Sequence, residues 1–276
     1  MRGCQAEAGR EVFEVSGEQT FTYSRMIDLS VGLIPDAVHE PLKPKIRYQS
    51  HDGEGAEVLA RLFGVSREDF ELSGGKGGAA EEITAVAHAG THVDAPWHYS
   101  PTSEGRPARK IDELPIEWFF SDGVVLDLRH KGPGEKIEPG DLEESLRKIG
   151  YVLKPLDIVM IMTGRDRHLG SLEYFLQPGL TRASVLWLCE QGIKVIGIDA
   201  YSLDRSFEAI TKEFRETGDG RLLWEAHFAG IEKEYCQIEK LANLDKIPRP
   251  YGFKVSCLPI KIHNGSGGWC RAVAFV

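Results

Sequence analysis

Three of the chain's nine histidines fall within the eleven residues His88-Ala-Gly-Thr-His92-Val-Asp94-Ala-Pro96-Trp-His98. Imidazole, imidazole and carboxylate, spaced by four and two residues, are the donors that a borderline divalent ion such as zinc prefers. His98 follows four residues later, suited to be either a further ligand or a proton-transferring group near neutral pH. A single histidine in a loop is ordinary. Three with an aspartate in one Gly- and Pro-punctuated stretch point to a metal. Gly90 and Pro96 argue against a helix through the cluster. The expected path is a strand ending near His88, a tight turn at Ala89 and Gly90, and a return that turns His92 and Asp94 to one side. Gly90 is expected because ligands this close leave no room for a Cβ in the bend. Three donors from one loop suit a catalytic site with positions left open for water and substrate. A closed structural site more often uses cysteine, and none lies nearby.

The elements that would hold this loop alternate in type. Residues 1–24 read as a polar, aperiodic N-terminal arm, and 25–276 as one domain without repeat or linker. Met26–Val31 is a strand candidate, and Pro35, Pro41 and Pro44 then impose an irregular path. Ala56–Phe63 has helical spacing and ends at Gly64. Four short apolar runs, Glu82–His88, Gly123–Leu128, Asp157–Met162 and Ile193–Asp199, read as buried strands. Helical patterns at Pro139–Lys148, with an aspartate suited to its cap, and Thr181–Glu190 separate the last three, so the strands are expected to be parallel with crossovers. Phe253–Ile262 and Trp269–Phe275 are expected to form a closing hairpin around the Asn264–Gly268 turn. The glycine tract 73–79 lacks the order of a phosphate loop and reads as a flexible surface loop bordering the pocket.

Composition narrows the function. The 276 residues carry 33 basic and 42 acidic groups, a net charge of −9, which argues against nucleic-acid or anionic-membrane partners. No apolar run is long enough to span a bilayer, and the first residues, which include acidic ones, do not read as the apolar core of a secretory signal. Five cysteines without close pairing read as reduced, buried thiols. The expected location is the cytoplasm.

The 88–98 stretch resembles the HxGTHxDxPxH signature of the cyclase-like metal hydrolases, a family that includes bacterial kynurenine formamidase and isatin hydrolase, and all seven fixed positions are met. Gly197-Ile-Asp199-Ala-Tyr-Ser202-Leu-Asp204 resembles the family's GxDxxSxD segment, and His227 with Glu239 its second metal-binding stretch. The resemblance covers about residues 25–276. It implies an α/β fold of swivelling β/β/α architecture, a mixed sheet or barrel-like core flanked by helices, assembled as a homodimer or homotetramer. It also implies that His88, His92 and Asp94 bind a metal, that Asp94 bridges to a second held by His227, that Glu239 reaches either, and that His98 moves the proton. One or two divalent ions are implied, with zinc favoured over manganese.

On one continuous helix His227 and Glu239 would stand roughly 18 Å apart. The chain must therefore bend between Phe228 and Ile238, and Gly230 is the weak point. Asp199 and Asp204 read as supporting groups rather than ligands. The expected activity is hydrolysis of an amide or lactone bond in a small acyl substrate, such as a cyclic amide or an N-formyl aryl amine. The alternatives are a cyclase or dehydratase using the same metal, and a metal-binding module without turnover. Residues 31–39 lack the tryptophan with which kynurenine formamidases contact their aryl substrate, which argues against formylkynurenine. Trp97 is a candidate aromatic wall, with core packing as its other reading.

Overall fold

The computed structural model describes residues 12–15 and 19–276, with side chains from Phe21 onward. Most of the expected arm therefore lies outside the described residues. Its end, Gln19–Thr22, pairs antiparallel with Val12–Val15, and Phe21 meets Phe275 edge-on.

Nine strands form the central sheet: β1 Met26–Asp28, β2 His92–Asp94, β3 Phe120–Asp127, β4 Ile158–Met162, β5 Val195–Ile198, β6 Cys236–Glu239, β7 Phe253–Ser256, β8 Gly267–Trp269 and β9 Val273–Phe275. Their order is β8-β2-β6-β5-β4-β3-β7-β9-β1. The centre, β3-β4-β5-β6, is parallel, and every other neighbour pairs antiparallel. β4 and β5 are buried at every position, which is why their sequences read as unbroken apolar runs. Only three residues separate β8 from β9, a reach of roughly 14 Å, yet the two lie near opposite ends of the strand order. The sheet must therefore curl until its ends approach. The curl is fastened where the chain leaving β1 meets the chain leaving β6, with a bridge between Ser30 and Leu241 and Ala242 N–H donating to the Leu29 carbonyl.

The curl separates two cores. Val93, Trp118, Met160, Ile238 and Val255 fill its interior. Val124, Ile161, Leu188 and Ile196 face α3 Pro139–Ile149 and α4 Arg182–Glu190 on the outside. The mixed sheet flanked by helices agrees with the architecture expected from sequence. No helix among the described residues is long and apolar enough to cross a membrane.

Several local expectations need correction. The Glu82–His88 run is not a buried strand. Ala80–Thr84 is exposed throughout and pairs with Lys45–Gln49 in a separate two-stranded ribbon, because Glu81, Glu82 and Thr84 leave it too little apolar surface to bury. The C-terminal strands do not close as one hairpin. Gly267–Trp269 crosses to the far side and pairs with β2, while β7 pairs with β9. In α3 the aspartate is not the cap. Glu138 is, Pro139 follows as the first helical residue, and Asp141 reaches back to accept from Glu138 N–H at 2.8 Å, as in a capping box.

The glycine tract is a mostly exposed surface loop, as expected, but it does not line the pocket, and Gly77 packs tightly within it. Gly77 N–H donates to the His51 carbonyl, and a Cβ on Gly77 would stand 2.2 Å from the Gly55 carbonyl oxygen. Backbone meets backbone there, at the start of α1 Glu54–Phe63. Cys189, Cys236, Cys257 and Cys270 are free thiols, whereas Cys4 lies outside the described residues.

Candidate metal centre

The signature loop begins as a turn rather than a strand end, since the preceding strand stops at Thr84. Gly90 has φ +61°, and a Cβ there would meet only ordinary van der Waals contacts, the nearest at 3.5 Å. Its role is the left-handed backbone, not the close approach of ligands. From that turn the chain enters β2, where alternation sends Val93 into the core and His92 and Asp94 to the other face. Pro96 does not prevent a helix here. It occupies the first position of the one-turn α2 Pro96–Tyr99, where its missing N–H costs nothing, and that turn lifts His98 to the rim.

The second half arrives by the bend that the sequence required. α5 Glu225–Ala229 ends at Gly230, and the chain re-enters the sheet as β6, the neighbour of β2. Glu239 is therefore registered opposite His92. Gly230 is essential in this path, since a Cβ would stand 2.3 Å from Tyr99 Cδ2. Gly230→Ala is expected to lower stability by about 1–3 kcal/mol through overpacking, read as a shifted midpoint in urea denaturation. An unchanged midpoint would show that the contact relaxes freely.

All six candidate residues meet in one place. Among the described residues, donor atoms of His88, His92 and Asp94 lie within 4.8 Å of one another, and so do those of Asp94, His98 and His227. Asp94 joins both groups. Its Oδ1 is 2.6 Å from His88 Nδ1 and 3.1 Å from His92 Nε2, and its Oδ2 is 3.8 Å from His227 Nε2. Glu239 spans the pair, 3.7 Å from His92 Nε2 and 3.7 Å from His227 Nε2.

Hydrogen bonds behind the site fix the ring faces. His92 Nδ1 is 2.9 Å from the Gly90 carbonyl, so that nitrogen carries a proton and Nε2 is turned toward the site. His227 Nδ1 is 2.5 Å from Asp204 Oδ2, and Asp204 also accepts from the backbone N–H groups of Ala226 and His227. Asp204 therefore orients a donor rather than acting as one, as a carboxylate behind a metal-binding imidazole does. Asp199 is committed elsewhere, accepting from the N–H groups of Thr163 and Gly164 and from the Thr163 hydroxyl.

Charge is concentrated in this buried space. Burial raises the Asp94 carboxyl, but His92 and the hydrogen bonds from His88 and His92 outweigh it and hold the group well below the usual range. Burial and the facing Asp94 raise Glu239. Burial lowers His92 and His227, yet the surrounding carboxylates outweigh it and leave both raised. His98 differs. Burial, reinforced by His88, His227 and His92, outweighs Asp94 and pushes it down to about 4. It is therefore neutral at pH 7.

These residues fit a divalent cation. Asp94 Oδ2 is buried without a hydrogen-bond partner, a costly state unless something else satisfies it. Two imidazole lone pairs beside two carboxylates form a donor set of nitrogen and oxygen that a dication satisfies.

The site opens into a cavity of about 280 Å³. Tyr201, Phe207 and Trp224 supply aromatic walls, and Pro41, Leu42 and Val86 supply aliphatic ones. Trp97 is not among the lining residues. It is partly exposed, with Lys110 over its ring, so the wall reading fails for it. Trp224 takes that place, stacked on His227 at 4.1 Å and edge-on to His98 at 5.4 Å. Its left-handed backbone, φ +58°, has no sequence signal. Its spacing three residues before His227 was the available hint.

Residues 27–205 match the Cyclase family model, described as "Putative cyclase". A kynurenine formamidase of Erythrobacter litoralis is 28% identical over 191 residues, covering 69% of this chain and 74% of that protein. Another, of Bordetella petrii, is 32% identical over 125 residues, 45% of this chain and 52% of its own length. Among solved structures, isatin hydrolase A of Labrenzia aggregata, bound to benzyl benzoate, superposes with a TM-score of 0.68 at 23% identity, over 91% of this chain and 93% of that one. At that identity the likeness establishes the shared fold.

Proposed function

The chain belongs to the cyclase family, and from that premise we propose a metal-dependent hydrolase that cleaves an amide or lactone bond in a small aromatic acyl compound. The observation that carries this reading is a single one. Five ligand-type side chains, His88, His92, Asp94, His227 and Glu239, converge beneath an aromatic cavity with a neutral histidine, His98, at its rim. A divalent ion held there supplies a Lewis acid that polarises the acyl carbonyl and makes water nucleophilic near neutral pH. Nitrogen and carboxylate donors suit zinc first and manganese next. Asp94, standing between the two histidine groups, gives room for one ion or two.

The remaining work falls to the chain. His98, neutral and facing the cavity, accepts the proton of the attacking water and returns it to the departing nitrogen or oxygen. Asp204 keeps His227 in one tautomer. The volume suits a one- or two-ring substrate gripped by Tyr201, Phe207 and Trp224. Relatives described as kynurenine formamidase support a planar N-acyl aryl amine, and the isatin hydrolase fold supports a cyclic amide. We place the protein in the cytoplasm as a homodimer or homotetramer, without nucleic-acid or membrane partners.

The deciding experiment assays N-formyl aryl amines, isatin-type cyclic amides and lactones with zinc- or manganese-loaded protein in labelled water. Hydrolysis places one labelled oxygen in the acid product. Turnover without label would instead establish cyclisation or dehydration. Phe207→Ala is expected to raise KM for aromatic substrates about tenfold at unchanged metal content. An equal loss for aliphatic lactones would remove the aromatic-grip argument.

A further inference from the structure

Lys240 is the residue the proposed mechanism leaves unexplained. It follows Glu239 directly, is 2% exposed, and carries a left-handed backbone at φ +59°. In a regular strand its side chain would point away from that of Glu239. The left-handed turn instead lets both line the same cavity. A lysine in that conformation is strained, and a buried ion pair adds little stability over an apolar pair of the same shape. Packing alone does not account for either feature.

The Lys240 ammonium lies over the Tyr201 ring at 4.9 Å, but its side-chain hydrogen bonds and its carbonyl lead to the turn that carries His88. Its Nζ donates to Glu40 Oε2 at 2.7 Å and to the His88 carbonyl at 2.9 Å. The other oxygen of Glu40 accepts from Gly90 N–H at 2.8 Å. The Lys240 carbonyl accepts from the Thr91 hydroxyl at 2.5 Å, and that hydroxyl accepts from Val31 N–H. The turn from His88 to Thr91 is thus held at three of its four residues by one lysine and its carboxylate partner. His88 and His92 hang from the two ends of that turn. The His88 ring is 23% exposed, less enclosed than the other donors of the loop.

We propose that Lys240 and Glu40 are positioning residues, a buried clamp that sets where His88 stands relative to His92 and Asp94. This rests on the reading of His88 as a metal ligand. The clamp also ties the two halves of the site together, since Lys240 leaves β6 beside Glu239 while Glu40 comes from the proline-rich segment after β1.

The test replaces both partners, Glu40→Leu with Lys240→Met, so that no buried charge is left alone. Two readouts are taken. Cobalt-loaded protein is expected to show an altered visible spectrum and about 10- to 100-fold weaker metal affinity. Hydrogen exchange on metal-free protein is expected to show lost protection at Gly90. A folded double variant with wild-type spectrum, affinity and protection would overturn the clamp. If the double variant does not fold, Lys240→Arg decides by the same readouts, because its planar fork keeps the charge but cannot take the ammonium's place. A wild-type protein that takes up no cobalt would overturn the metal reading instead, and amide exchange would still decide the clamp.

Discussion

His98→Gln loses about 10²- to 10⁴-fold in kcat while keeping its full complement of metal. The expectation follows from how His98 differs from the five residues below it. His88, His92, Asp94, His227 and Glu239 all lie in one network of charged contacts. His98 reaches the site through ring packing, stacked on His88 at 4.0 Å and edge-on to His227 at 5.6 Å. Burial pushes it down to about 4, which keeps it neutral at pH 7 but a weak base, so the proton-transfer role rests on its place beside the donors and on the cavity wall. Glutamine keeps the bulk beside His88 but cannot carry a proton between two atoms. Elemental analysis beside single-turnover kinetics separates the roles. Metal loss in parallel with activity would make His98 a ligand, completing the second donor group with Asp94 and His227. Full activity in the variant would remove it from the chemistry.

The contrast between His98 and its neighbours shows what the sequence could express. Ligand type and spacing at 88–98 were legible because donor chemistry is local and the loop is one continuous segment. The parallel centre of the sheet was legible too, since strands buried on both faces must read as apolar runs. The requirement for a bend between His227 and Glu239 followed from helix rise alone, and Gly230 stands where it occurs. What was hidden depends on long-range register. β8 lies beside β2 because the sheet curls, and Ser266, just before it, thereby reaches His88 Nε2 at 2.9 Å. The Lys240–Glu40 pair joins residues 200 positions apart. Trp224 enters the pocket through a backbone conformation that side chains rarely adopt. In the glycine tract, composition does not reveal that Gly77 alone is required by close backbone packing, against Gly55.

Asp94→Asn is expected to abolish metal binding and, with it, the pH dependence that metal confers on stability. Asp94 supplies donor atoms to both histidine groups and lies nearest to His88 and His92, and asparagine offers a single neutral carbonyl in its place. Metal affinity should fall by more than the roughly 100-fold upper end typical of losing an outer partner, with turnover lost alongside. The consequence for stability can be signed. In metal-free wild type, His92 and His227 are raised by their carboxylate neighbours. That contribution is fully present below the unfolded value near 6.5 and is lost as pH rises through the folded value. Burial raises Glu239, so its contribution falls in the same direction. Asp94 is held low, so its contribution is present above about 4 and is lost only toward acid. The metal-free protein should therefore weaken as pH rises above about 6.5. Metal binding requires deprotonated donors, so the stabilisation it gives grows over the same range. Melting temperatures with and without zinc should diverge as pH rises in wild type and coincide in Asp94→Asn. Parallel curves in wild type, or an Asp94→Asn protein that still melts higher with zinc, would show that Asp94 does not hold the ion.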